Sequence, residues 1–176
     1  MEHETDKASE VIVTDSSENF DTWLNRKYIS EDTKKELKKA DVLLVPMEIF
    51  RGEDIVAFPV LTEEIYQFLK TKLSPEKQVD ICIEDKDFKE LALHSALLVL
   101  GSFVVTMVVA PMLVNALYDY IKSKILNKIE KRGVKVSLTI INKDGTAKNL
   151  TYEGDAEKFV IIKEELEKLN KGKNGS

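Results

Sequence analysis

Side chains that could carry out catalysis are scarce in this sequence. The chain has two histidines, His3 and His94, and a single cysteine, Cys82. One cysteine allows neither an internal disulfide nor a thiolate zinc site, and the two histidines support no catalytic triad. No glycine-rich loop of the phosphate-cradling kind is present either. We therefore predict no catalytic residue, no cofactor, no metal site and no enzymatic activity.

One acidic cluster is the basis of an alternative prediction, in which the protein is an enzyme. Asp80 precedes the triplet Glu84-Asp85-Lys86 at the end of a predicted strand. Carboxylates at such an edge can hold Mg²⁺ while a lysine orients the attacking water, as in metal-dependent nucleases. A small metal-dependent hydrolase using Asp80, Glu84 and Lys86 is thus an alternative. The favoured interpretation is a solvated strand end that caps the next helix.

A second polar cluster lies in residues 47–54, between two apolar runs. It contains Glu48, Arg51 and Asp54, with Glu53 beside them. An arginine next to acids in an exposed loop can recognise a carboxylate or phosphate of a partner. A surface ion-pair network is the simpler interpretation. We retain Glu48, Arg51 and Asp54 as a candidate partner loop.

The N-terminal half is predicted to be a small α/β region. Residues 1–18 are polar and are interpreted as a disordered leader. From 19 to 87 the pattern predicts short strands at 42–45 and 79–83, and a helix capped by Thr62.

The central segment decides the architecture. Residues 91–118 contain no charged side chain, and residues 96–114 are apolar on every side of a helix. We predict one long helix over 88–132, broken or kinked at Pro111, that either spans a membrane or is buried in the fold or in an oligomer. The candidate membrane or oligomer positions are Ala96, Gly101, Phe103, Val108, Pro111 and Val114.

The C-terminal part has the clearest pattern. Residues 134–140 alternate between apolar and polar side chains, and Asn142-Lys143-Asp144-Gly145 supplies turn chemistry. A β-hairpin followed by a helix is therefore predicted over 133–170, with a frayed tail over 171–176. The predicted fold class is α+β, with a split β-α-β-like C-terminal half.

Residues 88–169 resemble a known family in their layout. An Ala/Leu/Val-rich helix, the exit Tyr-Asp-Tyr-Ile-Lys-Ser-Lys at 118–124, the strand Val-Lys-Val-Ser-Leu-Thr at 134–139, and Asp144-Gly145 before a closing helix carry the likeness. This half of the chain resembles the effector-associated constant component domains of bacterial conflict systems. The resemblance implies a small non-catalytic adaptor that works with a defence effector.

Charge and composition limit the partners. Residues 1–90 hold 13 basic against 22 acidic side chains, and residues 119–176 hold 13 against 9. The basic excess is small and lacks an aromatic stacking platform, so nucleic acid is not an expected partner. The N-terminus shows no secretion signal. The expected location is cytoplasmic or at the inner membrane, with the basic C-terminal half on the cytoplasmic side.

The predicted function is therefore a non-enzymatic interaction or accessory protein with an unknown protein partner. It is either attached to a membrane through the apolar helix or, as the alternative, a soluble homo-oligomeric adaptor with that helix buried. A role in bacterial defence is implied by the resemblance.

Overall fold

The computed structural model of the chain describes residues 9–126 and 133–174. The strands in these ranges are β1 (Glu10–Ser16), β2 (Val42–Val45), β3 (Met47–Phe50), β4 (Glu53–Pro59), β5 (Val79–Ile81), β6 (Glu90–Leu91), β7 (Leu98–Thr106), β8 (Gly133–Ile141) and β9 (Ala147–Asp155). The α-helices are α1 (Phe20–Leu24), α2 (Glu31–Leu37), α3 (Thr62–Leu73), α4 (Ala110–Ile121) and α5 (Ile161–Asn174). Short 3₁₀ turns occupy Asp85–Asp87 and Ala156–Lys158, and a π-helical turn, Lys122–Leu126, extends α4.

One mixed sheet runs through the molecule in the order β1-β9-β8-β7-β2-β5. The pairs β7–β8 and β2–β5 are parallel, and the pairs β1–β9, β8–β9 and β2–β7 are antiparallel. A second, three-stranded sheet has the order β3-β4-β6. The fold is α+β, and strands from both halves of the chain share the main sheet.

The prediction of one long apolar helix over 88–132 is wrong. The segment folds as strand β7 and then helix α4, and residues 127–132 lie outside the described ranges. Within residues 9–126 and 133–174, no helix has the length and apolarity needed to cross a membrane. A strand buried on both faces lacks the alternation that identifies most strands, so uniform apolarity suits it as well as it suits a buried helix.

The six positions assigned to the apolar helix therefore have separate environments. Phe103 in β7 and Val114 in α4 are fully buried, whereas Val108, in the turn between these elements, is 66% exposed. Ala96 lies exposed in the loop before β7. Gly101, at φ +110°, sits where the register of β7 with β8 shifts. Pro111 lies in the first turn of α4, where its missing N–H breaks no helical hydrogen bond, so it does not kink the helix.

Helices cover both faces of the sheet. On one face, α3, α4 and α5 bury a large core that includes Leu69, Leu117 and Phe159 against the strands. On the other face, α1 and α2 cover a smaller core with Trp23 and Leu37. Alternate residues of β2 enter the two cores, which is why all four of its side chains are buried.

Two terminal predictions also need correction. Residues 10–16, assigned to a disordered leader, form β1, whose pairing with β9 gives this short segment its order. Residues 1–8 of that leader lie outside the described ranges. At the other end, α5 continues to Asn174 through part of the predicted frayed tail, of which residues 175–176 are not described.

Candidate functional site

The candidate partner loop is a β-hairpin. Strands β3 and β4 pair antiparallel, with Phe50 opposite Glu53 and Ile49 opposite Asp54. Arg51 and Gly52 form the two-residue turn, and both have positive φ, 52° and 78°. Two consecutive positive φ angles are typical of the tight turns whose twist matches that of paired strands. The hairpin thus holds the tip residues in a defined arrangement.

The tip presents apolar and cationic surface together. Ile49 is 68% exposed, the highest value for a large apolar side chain among the described residues. The Arg51 guanidinium carbon lies 5.0 Å from the ring centroid of Phe50, a cation–π arrangement. Glu53 and Asp54 are exposed on the facing strand. Aromatic residues and arginine are enriched in protein–protein interfaces, and an exposed isoleucine beside them adds apolar surface that a partner can cover.

The base of the hairpin is tied to the N-terminal helical region by Glu48. Its two carboxylate oxygens accept hydrogen bonds of 3.1 Å from Nε and Nη2 of Arg26. The Tyr28 hydroxyl donates a further bond of 2.9 Å to the same carboxylate. A two-point arginine–carboxylate pair fixes orientation as well as distance. Glu48 therefore holds the hairpin in place and is not part of its binding tip.

Arg26 is itself held by several groups. It donates to a Glu18 carboxylate oxygen at 3.1 Å and to the Thr22 carbonyl at 3.1 Å. Its guanidinium carbon lies 4.1 Å from the Trp23 ring centroid. Hydrogen bonds from Arg26 and Thr22 lower the pKa of Glu18. Burial, followed by the hydrogen bond to Glu48, raises the pKa of Tyr28. This cluster forms a fixed support for the hairpin.

The structure therefore divides the predicted loop residues into two groups. Arg51 and Asp54 lie at the exposed hairpin tip, and Glu48 pairs with Arg26 instead of with Arg51. Ile49 and Arg26 were not among the predicted loop residues. The apolar–polar–apolar pattern of residues 47–49 is too short to separate a hairpin from a loop. Nothing in the local sequence of Arg26 indicates its pairing with Glu48.

Asp80, Glu84 and Lys86 line one cleft of about 780 Å³, together with Asp85. Oε1 of Glu84 accepts the backbone N–H of Ser30 at 2.6 Å, and Oε2 accepts the Thr33 hydroxyl. Both contacts lie at the N-terminus of α2, where Ser30 is the N-cap and accepts the N–H of Thr33. Glu84 therefore holds the capping residues of a helix that precedes it in sequence by some fifty residues. These hydrogen bonds, that of Thr33 first, lower the pKa of Glu84.

Asp80 accepts a hydrogen bond of 2.7 Å from Gln78, and burial raises its pKa. Within the ranges 9–126 and 133–174, no group of three or more histidine, cysteine, aspartate or glutamate side chains is arranged to hold a metal ion. The cleft brings the three residues of the hydrolase alternative together, but the Glu84 carboxylate is engaged by α2.

The remaining reactive side chains lie apart. Cys82 is fully buried, and burial raises the pKa of its thiol to about 12, which is typical of an inert packing cysteine. His94 is exposed in the loop before β7, at φ 50°. His3 lies outside the described residues.

Another glutamate caps α3. Thr62 was predicted to cap this helix, but its hydroxyl donates to the carbonyl of Pro59 at 2.6 Å. The carboxylate of Glu90 accepts the backbone N–H groups of Leu61 and Glu63 at 3.3 and 3.1 Å. Glu90 thus caps α3 directly, whereas Glu84 holds the capping residues of α2.

Comparisons of the chain with family models, with curated proteins and with solved structures gave no match. The resemblance of residues 88–169 to the effector-associated constant component domains stays a prediction.

Proposed function

We propose that this protein is a non-enzymatic interaction protein that binds a protein partner through the tip of the β3–β4 hairpin. The observation that carries the proposal is the exposure of Ile49, 68%, on a hairpin whose base is fixed by the two-point contact between Arg26 and Glu48. A side chain that is both apolar and preorganised binds at a smaller entropic cost than one on a mobile loop.

The use of the ionisable side chains supports the same proposal. Glu48 holds the hairpin, Glu84 holds the capping residues of α2 and Glu90 caps α3, while Cys82 is buried in the smaller core. Each of these four side chains has a structural role in the described fold. A partner-binding role requires none of them to react.

The chemistry of the tip defines the partner surface. Ile49 needs an apolar depression, and Arg51, which lies over the Phe50 ring, needs a carboxylate beside it. Glu53 and Asp54 add negative charge on the neighbouring strand, which favours a basic rim on the partner. The adaptor role in defence that the resemblance implies is part of this proposal and names no specific partner.

Site-specific photo-crosslinking tests the proposal. A photoreactive amino acid replaces Ile49 in the full chain expressed in its native host, and the matched control replaces Val108, which is 66% exposed on the turn before α4. A discrete protein adduct is expected from position 49 and not from position 108. The captured protein is then purified, and its affinity for the chain is measured.

In that binding measurement, Ile49→Asp and Arg51→Ala should each weaken the affinity by about tenfold or more. The first puts a charge into an apolar contact, and the second removes an arginine, a residue type enriched in binding hot spots. Val108→Asp should leave it unchanged. Equal crosslinking from both positions, or an affinity insensitive to Ile49→Asp, would overturn the assignment of the hairpin tip.

A further inference from the structure

Strand β1 lies at one edge of the main sheet. It pairs with β9 in one unbroken register, from Glu10 opposite Glu153 to Ser16 opposite Ala147. Among the described strands, β9 is its only neighbour. The opposite edge of β1 therefore presents backbone N–H and C=O groups that no described strand uses.

The register identifies the outward backbone groups. At the end of the β8–β9 hairpin, the N–H of Asn142 donates to the carbonyl of Thr146 at 2.8 Å. Bonding alternates along an antiparallel pair, so the even-numbered residues of β9 bond to β8 and the odd-numbered residues bond to β1. The β1 residues opposite odd-numbered positions are Glu10, Ile12, Thr14 and Ser16. The backbone groups of Val11, Val13 and Asp15 consequently point away from the sheet.

Within the described residues, β1 has few of the usual protections against strand pairing. Proteins shield edge strands by keeping them short, by bulges, by proline or by charged side chains, especially lysine, and the two charged residues of β1, Glu10 and Asp15, lie at or near its ends. The opposite edge strand, β5, has three residues, whereas β1 has seven, with no proline, lysine or bulge. Its centre, Val11-Ile12-Val13-Thr14, is uncharged and β-branched, and Ile12 is 49% exposed. This composition favours another strand at that edge.

The edge is complementary to itself. When two β1 strands overlap fully in antiparallel orientation, Val13 meets Val13 of the second copy and Val11 meets Asp15. Outward-facing residues then meet outward-facing residues, as hydrogen bonding requires. Glu10 lies opposite Ser16, so no acidic side chain faces another, and Asp15 is already paired with Lys148 of its own chain. Ile12 lies opposite Thr14, where its exposed surface is covered.

We infer that the protein forms a two-fold symmetric dimer in which the β1 strands of two copies pair at full overlap, joining two six-stranded sheets into one. Val11, Val13 and Asp15 of each copy supply about six interchain backbone hydrogen bonds. The hairpin tip takes no part in this contact, so the dimer does not depend on the proposed partner binding.

Light scattering with size-exclusion chromatography tests the dimer and its edge. The full chain should have twice its 20.0 kDa mass and dissociate on dilution. Val13→Pro removes an outward N–H and leaves the bonds to β9, so this variant should have the mass of one chain. Its melting temperature should stay within ~5 °C of the original. Thr14→Pro is the matched control, since it removes an N–H that β9 uses and should lower the melting temperature.

A second variant avoids proline altogether. Ile12→Lys changes an exposed side chain and places a charge at the strand junction, so it should also reduce the dimer. A single-chain mass for the original protein at every concentration would overturn the inference. The inference would also be overturned if the original protein were a dimer and neither Val13→Pro nor Ile12→Lys weakened that dimer.

Disulfide trapping tests the register. Chains carrying Ile12→Cys are mixed with chains carrying Thr14→Cys, and the mixture is oxidised mildly. Positions 12 and 14 face each other in a non-hydrogen-bonded pair, with Cβ atoms about 4.5–5.5 Å apart, so the mixed disulfide should dominate. Cys82 is fully buried and does not compete. Predominance of either symmetric disulfide, or no crosslink, would reject this register.

Discussion

The Arg26 guanidinium holds the Glu48 carboxylate at two points, Nε to Oε2 and Nη2 to Oε1, both at 3.1 Å. The two residues are 22 positions apart in sequence, and the contact joins the helical N-terminal region to the base of the β3–β4 hairpin. The Arg26 side chain is 23% exposed and that of Glu48 is 34% exposed. Partial burial makes this pair less screened by solvent than an ion pair on the open surface.

Arg26→Lys should loosen the hairpin. Lysine keeps the charge but cannot make the planar two-point contact, so we expect the free energy of unfolding to fall by about 1 kcal/mol. Hydrogen exchange of the β3 and β4 amides should become faster, because the base of the hairpin loses its support. Denaturant unfolding and exchange mass spectrometry measure the two effects.

The matched control for this pair is Glu36→Gln. Glu36 forms an ion pair of 3.6 Å with Lys39, and the two side chains are 75% and 64% exposed. Exposed pairs contribute little, so stability and hairpin exchange should be unchanged. An equal loss in both variants would mean that the hairpin is not held by Arg26.

Glu84→Gln should remove a pH-dependent contribution to stability. Hydrogen bonds from Thr33 and Ser30 hold the pKa of Glu84 below its ordinary value of 4.5, so the charged carboxylate favours the folded state. This contribution is complete above pH 4.5 and is lost as the pH falls through the lower folded-state pKa. The loss at pH 7 should be well below about 1 kcal/mol, because the contact is exposed to solvent and the glutamine side chain keeps one acceptor oxygen.

The measurement is denaturant unfolding of the original chain and of Glu84→Gln between pH 7 and pH 3. The two stability curves should differ at pH 7 and converge at the acid end. A difference that is constant over the whole range would show that the charge of Glu84 does not stabilise α2. If the hydrolase alternative were correct, Mg²⁺ would raise the melting temperature of the original chain and not that of the variant.

Lysine substitutions distinguish the observed strand and helix from one continuous apolar helix. Val108 is 66% exposed and Val114 is fully buried. Val108→Lys should change the melting temperature by less than ~2 °C, while Val114→Lys should lower the free energy of unfolding by about 3–5 kcal/mol or prevent folding, because an unpaired charge would be buried. Similar damage from both substitutions would contradict the turn between β7 and α4.

Local patterns were informative where one face of an element is buried and the other is polar. Val134, Val136, Leu138 and Ile140 alternate in the sequence, and all four are fully buried in β8. The Asp144-Gly145 turn likewise follows from residue chemistry, since Gly145 has a positive φ of 85°. The central segment had no such pattern, because β7 lies in the interior of the sheet and contributes to both cores.

The candidate site was predicted only in part. Arg51 and Asp54 were selected for their charge in a short polar stretch, and they do lie at an exposed tip. Glu48, selected for the same reason, belongs to the support because its partner Arg26 lies outside that stretch. Ile49 was not predicted as a site residue. Isoleucine is usually buried, and only the position of Ile49 in the hairpin exposes it.

By itself, the sequence determined the scarcity of reactive side chains, the α+β class, and the elements whose apolar residues repeat at a helix or strand period. Those properties follow from residue types and spacing within a few positions. The tertiary structure alone decided that the uncharged segment becomes a buried strand and a helix, that residues 10–16 form an edge strand, and that Glu48 and Glu84 have structural partners. Each of these depends on contacts between residues far apart in sequence, whose energies exceed local preferences and leave no mark in the local pattern.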